Sequence, residues 1–252
     1  MAKKAAERQL NPHGKEAPIY LSPHFDDAAF SLGSQIVSAP GGILVNIYTR
    51  SAYVAGPYET GLPDPADVDR ISALRDHEDA SFASRFGLKR IHLGAEEPRL
   101  RGRGSRDASG VGDDIAQIEE RLSALVLELS ADRKAQRLYC PAAIGGHVNH
   151  LATRAVVIGL LDRLPGHVSV SFYEDLPYAR SGEVRRRGVS DLRAALSSRR
   201  LRRRSWPASS AKLELINLYS SQHEAPVRSL RRFSPRALWP LWPHEAVWDV
   251  AG

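Results

Sequence analysis

The sequence contains a single cysteine, Cys140, among its 252 residues, so no disulfide can form within the chain. Such scarcity is typical of proteins from reducing compartments. The sequence also lacks any uninterrupted apolar run as long as a transmembrane helix requires, so we expect no membrane span. Residues 1–15 are polar and charged without an apolar segment, and we therefore expect no signal peptide. These absences together predict a cytoplasmic protein.

The positive charge is concentrated in one segment. The whole chain has a net charge of +6, whereas the segment from Arg180 to Arg204 alone contains ten arginines and two acidic residues. Such a segment can bind the phosphates of a nucleotide-linked or lipid-linked substrate, a nucleic acid or an anionic membrane. Aromatic side chains that could stack on bases are almost absent from it. We therefore expect no specific nucleic-acid partner and interpret the segment as a solvated surface.

Short apolar runs alternate with stretches of helical periodicity as far as Leu176. This alternation predicts an α/β fold with a mostly parallel sheet and helices on both faces. Strands are expected at 18–21, 43–48, 90–94, 137–141 and 168–173, and helices at 28–38, 70–86, 115–129 and 147–164. The segments 49–69 and 95–114 are polar and rich in glycine, and are expected to be long loops that determine specificity.

The two ends of the chain lack this clear pattern. We expect residues 1–16 to be a mobile tail and residues 17–252 to form a single domain. Within that domain, residues from about 179 to 252 are predicted to be an irregular, arginine-rich extension with one helix at 213–219.

A histidine and two aspartates follow the first predicted strand. The motif is Pro-His-Phe-Asp-Asp and contains His24, Asp26 and Asp27. In open α/β sheets, ligands bind at the carboxyl ends of the strands, and zinc binds imidazole nitrogen and carboxylate oxygen. We therefore predict that the motif supplies two metal ligands and leaves one carboxylate free. The alternative is that the aspartates only cap the following helix.

Two more histidines follow the fourth predicted strand. His147 and His150 are three residues apart and therefore share one face of a helix. Their strand can end on the same rim of the sheet as Asp27. One of the two histidines can complete a set of three protein ligands, which is the usual number for catalytic zinc.

These residues together could hydrolyse an amide. A metal of this kind lowers the pKa of bound water and polarises a carbonyl, and the reaction also needs a base and an acid. We predict that the metal ligands are His24, Asp27 and His150. Asp26 is the predicted general base, and His147 protonates the leaving amine or holds the oxyanion.

At these two motifs the sequence resembles the PIG-L/LmbE-like family of zinc-dependent de-N-acetylases. The motifs are Pro23–Asp27 and His147–His150, with secondary patterns at 31–33, 75–78 and 173–178, and the resemblance covers most of the chain. It implies a Rossmann-like fold and the removal of an N-acetyl group from an amino sugar, with release of acetate. It also implies the same ligands, base and acid as above. Zinc is the implied cofactor, and iron(II) is an alternative.

Two positions depart from the family pattern. Asn149 stands where an aspartate is usual, so the orientation of a ligand histidine would be weaker. Gly145 stands where some relatives carry a tyrosine that supports the oxyanion. Another donor would then have to take that role.

Three further residues are candidates for substrate binding. Arg75 lies one helical turn from Glu78, and the alternative is an exposed ion pair between them. Glu174 and Asp175 follow the fifth predicted strand on the same rim, where one of them can contact a sugar hydroxyl.

The predicted function is therefore a metal-dependent hydrolase that removes an N-acetyl group from an amino sugar, which can be linked to a lipid or a nucleotide. Two alternatives stay open. One is a catalytically weakened protein that binds a glycan or an anionic partner, and the other is a zinc amidase of a different conjugate.

Overall fold

In the computed structural model, which describes residues 17–56, 62–132, 134, 136–237 and 241–251, the strands form one sheet in the order β3-β2-β1-β4-β5-β7-β6. The strands are β1 (Ile19–Ser22), β2 (Gly42–Asn46), β3 (Leu88–His92), β4 (Arg137–Pro141), β5 (Ser169–Tyr173), β6 (Arg200–Pro207) and β7 (His244–Ala251). Strands β1 to β5 are parallel, and β7 pairs antiparallel with both β5 and β6. The tail predicted at 1–16 lies outside the described residues.

Helices cover the sheet on both sides. They are α1 (Asp27–Ser38), α2 (Pro65–Phe86), α3 (Val111–Ala131), α4 (Val148–Leu160), α5 (Gly182–Ala195) and α6 (Ala211–Leu218). Helices α1, α2 and α6 pack against one another, and α3 packs against α4. The predicted fold class, a mostly parallel sheet with helices on both faces, is confirmed. None of the described helices has the length and apolar character needed to cross a bilayer.

The loop predicted at 49–69 is shorter than expected, because α2 begins at Pro65 rather than at Arg70. The Asp64 side chain accepts a hydrogen bond from the Ala66 N–H, and proline is favoured at the first helical position. The predicted end of this helix is confirmed, since Gly87 adopts a left-handed φ of 62°. Helix α3 likewise begins at Val111, four residues before the predicted start.

The region 179–252 is more regular than predicted. It contributes α5 and the two strands β6 and β7, and β7 lies inside the sheet between β5 and β6. Arginines on β6 obscure the strand pattern in the sequence, because the acidic residues that pair with them lie far away along the chain. Arg204 of β6 donates to Asp249 of β7, and Arg203 donates to Glu174 beyond β5. The region from about 179 to 252 is therefore not the irregular extension that the sequence predicted.

A buried ion pair connects the last strand, β7, to α6, and its carboxylate also binds the first helix. The Lys212 Nζ lies 2.8 Å from the Glu245 Oε1, and both side chains are fully buried. The same carboxylate accepts hydrogen bonds from the backbone N–H groups of Ser34 and Gln35 in α1. Because α1 begins at Asp27, β7 helps to fix the helix that carries the first sequence motif.

The order in which successive strands are added to the sheet reverses between β1 and β4. From β1 it proceeds to β2 and β3 on one side, whereas β4 and β5 follow on the other side. Loops after two such strands diverge and leave a crevice at their carboxyl ends, where ligands bind in open α/β sheets. Both predicted motifs follow these two strands.

Candidate active site

The three predicted metal ligands lie together at the crevice between β1 and β4. The Asp27 Oδ2 lies 3.0 Å from the His24 Nδ1 and 3.2 Å from the His150 Nε2. The two ring nitrogens are 3.3 Å apart. All three side chains are buried. We call His24, Asp27 and His150 the donor triad.

Hydrogen bonds behind the triad set the orientation of both histidines. The His24 Nε2 lies 3.0 Å from the Asn149 Oδ1, and the His150 Nδ1 lies 2.7 Å from the Asp175 Oδ1. Amide and carboxylate oxygens accept hydrogen bonds, so these two ring nitrogens carry the protons. The opposite nitrogens face the Asp27 carboxylate, so three acceptor atoms converge on one point whenever both rings are neutral.

This spacing fits a bound metal ion. Three ligand atoms about 2.0–2.1 Å from a tetrahedral zinc ion would lie about 3.3–3.4 Å apart, and the triad atoms are 3.0–3.3 Å apart. Two imidazoles and a carboxylate are also a donor set that zinc and iron(II) accept. His24, His147 and His150 form a wider cluster, with ligand atoms within 4.8 Å of one another. The donor triad is the more compact set.

The electrostatics of the triad favour positive charge. Burial opposes protonation of His150, but Asp27 and Asp175 outweigh it and raise the pKa of His150 to about 10. Burial also opposes ionisation of Asp27, yet the nearby His150 and His24 hold the pKa of its carboxyl well below the usual range. Both shifts favour positive charge between these side chains.

Asp26 lies beside the triad and faces a cavity of about 650 Å³. Its side chain is 13% exposed, and its Oδ1 accepts a hydrogen bond of 3.0 Å from the Arg75 Nη2. Burial raises the pKa of Asp26, Arg75 opposes that rise, and Asp27 adds to it. The Asp26 side chain makes no capping hydrogen bond to α1. The predicted base is thus held against the cavity by an arginine.

His147 lines the same cavity and presents a hydrogen-bond donor. Its Nδ1 accepts a 3.3 Å hydrogen bond from the Asn149 backbone N–H, so the proton of the neutral ring is on Nε2. Burial, together with His24 and His150, lowers its pKa well below the usual value. Its ring centre is 4.6 Å from that of His24. A neutral His147 suits support of an oxyanion better than donation of a full proton.

Tyr178 is a site residue that the sequence patterns did not assign. Gly145 has a φ of 102°, and a Cβ at this position would lie 2.6 Å from the Tyr178 ring. The Tyr178 ring lines the cavity, with its centre 6.2 Å from that of His150. The space next to Gly145 is therefore filled by a tyrosine from the segment after β5. The only indication in the sequence was the glycine at position 145. It indicates that a side chain is absent there but not which residue fills the space.

Arg75 is buried and does not form the exposed pair with Glu78 that was the alternative interpretation. Its Nη1 donates to the Glu97 Oε1 and to the Ser51 Oγ. The Glu78 carboxylate instead accepts hydrogen bonds from the Ser221 backbone and side chain. Arg75 lines the cavity, but its guanidinium is engaged within the protein.

Glu174 and Asp175 are not among the described residues that line the cavity. The Glu174 carboxylate is fully buried and accepts hydrogen bonds from Arg185, Arg203 and Trp248. Asp175 accepts from the Ile144 backbone N–H and holds His150. The structure thus gives Asp175 a role behind the triad and no support to a substrate contact from Glu174.

Solved deacetylase structures share this fold. The zinc-inhibited form of the teicoplanin deacetylase Orf2 aligns with a TM-score of 0.64 at 19% identity, over 93% of this chain and 98% of its own. The A40926 pseudoaglycone deacetylase Dbv21 aligns with a TM-score of 0.62 at 18% identity, over 94% of this chain and 98% of its own. At this level of identity, the likeness establishes the common fold.

A similarity in sequence points in the same direction. The 2'-N-acetylparomamine deacetylase of Streptomyces fradiae is 32% identical over 168 residues, which are 64% of this chain and 57% of that enzyme. The chain thus spans little more than half the length of this relative. No family model matches the sequence.

Proposed function

We propose that this protein is a metal-dependent deacetylase that hydrolyses the N-acetyl group of an amino sugar. The observation that carries the proposal is the convergence of three metal-donor atoms next to Asp26 and His147 on one cavity wall. The similarity to a relative named as a deacetylase of an acetylated amino sugar supports both the reaction and the substrate class. The resemblance to the PIG-L/LmbE-like family supports the same reaction.

His24, Asp27 and His150 would hold the metal, with Asn149 and Asp175 fixing the two imidazoles. A zinc or iron(II) ion bound there supplies an acidified water and polarises the amide carbonyl. Hydrogen bonds from a ligand histidine to an amide or carboxylate oxygen also raise the basicity of the nitrogen that binds the metal.

The remaining steps are assigned to the chain's own residues. Asp26 accepts a proton from the attacking water as the new carbon–oxygen bond forms, and Arg75 keeps its carboxylate in place. The His147 Nε2–H donates to the carbonyl oxygen as negative charge develops on it. Collapse breaks the carbon–nitrogen bond and releases acetate, and the proton on Asp26 passes to the leaving amine.

The two departures from the family pattern are compatible with catalysis. Asn149 still accepts a hydrogen bond from His24, and Tyr178 occupies the space beside Gly145. These contacts favour an active hydrolase over a protein that only binds a glycan. A zinc amidase of another conjugate would use the same residues, so substrate assays have to separate it. The cytoplasmic location stays a prediction from the sequence.

The test is acetate release from N-acetylglucosamine conjugates by the metal-loaded protein and by Asp26→Asn. Loss of a general base costs about 10²- to 10⁴-fold in rate, whereas zinc content should stay the same because Asp26 is outside the triad. Asp67→Asn is the matched control, since Asp67 is exposed on α2 and pairs with Arg70. Full activity of Asp26→Asn would contradict the assigned base. Hydrolysis of other amides but of no N-acetyl sugar would indicate the amidase.

A further inference from the structure

Several arginines line the cavity that Asp26 and His147 also face. Arg99, Arg103 and Arg106 come from the segment between β3 and α3, and Arg232 comes from the helical turn Leu230–Phe233. Arginines of the 180–204 segment are not among the described residues that line this cavity. The arginines positioned to contact a substrate are thus different from those that the charge pattern of the sequence emphasised.

Several of these cavity arginines are already neutralised. Arg75 pairs with Asp26 and Glu97, and Arg103 pairs with Asp114. Arg106 and Arg232 differ, because neither forms an ion pair with a carboxylate of the described residues. Both are exposed towards solvent.

The carboxylate nearest to Arg106 in sequence is directed elsewhere. The Asp107 Oδ1 accepts hydrogen bonds from the backbone and the hydroxyl of Ser109. The Arg106 guanidinium carbon instead lies 6.0 Å from the centre of the Tyr178 ring, an arrangement of the cation–π type. This contact holds the guanidinium against the cavity wall while leaving its donors available.

Tyr178 also sets the distance between Arg106 and the reaction centre. The ring of His150 lies 6.2 Å from the centre of the Tyr178 ring, and the Arg106 guanidinium lies 6.0 Å from the same centre. A group bound by Arg106 would therefore be within the length of one or two sugar residues of an amide held at the triad.

We propose that Arg106 and Arg232 form an anion subsite and that the preferred substrate is an N-acetylated amino sugar joined to a phosphate or a carboxylate. This inference rests on the proposed deacetylase function and specifies its substrate. Guanidinium groups bind both anions through paired hydrogen bonds.

The experiment compares acetate release from matched substrates. N-acetylglucosamine 1-phosphate provides the phosphate and N-acetylmuramic acid the carboxylate, while the methyl glycoside of N-acetylglucosamine is the neutral reference. We expect kcat/KM to be roughly 10- to 100-fold higher for at least one anionic substrate, as is typical of charge-assisted hydrogen bonds. The better of the two identifies the anion. The preference should fall as salt is added.

Arg106→Gln and Arg232→Gln should each reduce the ratio of kcat/KM for the anionic substrate to that for the neutral one by about tenfold. Arg200→Gln is the matched control, because Arg200 is exposed on β6 and is not part of the described cavity lining. Circular dichroism checks the fold of each variant. Equal kcat/KM for anionic and neutral substrates in the unsubstituted protein would overturn the subsite. An unchanged ratio in both arginine variants would overturn it as well.

A binding measurement separates failure of the subsite from failure of the proposed function. Titration calorimetry with N-acetylglucosamine 1-phosphate and with the methyl glycoside requires no turnover. If no conjugate releases acetate, the deacetylase proposal fails. Tighter binding of the phosphate that is lost in Arg106→Gln would then still support the anion subsite, and equal binding would reject it.

Discussion

Replacing Asn149 with aspartate should strengthen metal binding and weaken the metal-free protein. Asn149 is fully buried, and its Oδ1 lies 3.0 Å from the His24 Nε2. Its Nδ2 has no hydrogen-bond partner among the described residues, so this half of the amide is a buried donor that folding leaves unsatisfied. A carboxylate at the same position would accept the same hydrogen bond with a full negative charge and make His24 a stronger ligand.

The expected size follows from this one hydrogen bond. Partners behind a ligand histidine typically change metal affinity about 10- to 100-fold, so we expect the zinc Kd of Asn149→Asp to fall by about that factor. Without metal, a second buried carboxylate near Asp27 adds a desolvation cost that protonation of the neighbouring imidazoles offsets only in part. We expect the metal-free variant to lose about 1–3 kcal/mol of unfolding free energy, and zinc to restore much of this loss.

The assay is competition for zinc with a chelator at fixed pH, together with urea unfolding with and without zinc. Asn217→Asp provides the control, because Asn217 exchanges hydrogen bonds with the Val227 backbone and is not among the described residues that line the cavity. The control should change stability without altering zinc affinity. If Asn149→Asp binds zinc no more tightly than the unsubstituted protein does, Asn149 does not tune His24 and the reasoning is wrong.

Two other substitutions test separate parts of the structure. Tyr178→Phe keeps the ring that packs against Gly145 but removes the hydroxyl, so a role in oxyanion support predicts a kcat about 10- to 100-fold lower at unchanged zinc content; an unchanged kcat would limit Tyr178 to packing. Asp79→Asn tests a buried carboxyl whose pKa burial raises to about 7, against the opposing effects of Arg90, Asn46 and Tyr219. Folded Asp79 keeps a proton that the unfolded chain loses above about pH 4, so it contributes stability that is lost as the pH rises towards 7, by at most about 4 kcal/mol. Asp79→Asn should therefore be relatively more stable at pH 8 than at pH 5 when compared by urea unfolding, and a constant difference between the two proteins would contradict this.

The sequence predicted the parallel part of the sheet well because its signals are local. Apolar runs mark buried strands directly, and the predicted bounds of β4 agree with the structure. The neighbouring positions of β1 and β4 also follow from general rules of α/β topology, which is why residues 126 positions apart could be expected at one rim. The convergence of His24 and His150 depends on this adjacency.

The elements that escaped prediction depend on partners far along the chain. In the sequence, Arg203 and Arg204 look like solvated surface residues. In the structure they lie on a strand and donate hydrogen bonds to Glu174 and Asp249. No local pattern shows such pairings. Tyr178 escaped for a related reason, since only the folded chain brings it against Gly145.

The ion pair between Lys212 and Glu245 limits where the chain can be shortened or joined to another protein. Removal of the last strand would leave the Lys212 ammonium buried without its counter-ion, and two amides of α1 would lose their acceptor. Stranding a buried charge in this way typically costs about 3–5 kcal/mol. Shortened or chimeric versions should therefore keep both residues or replace both together by apolar side chains.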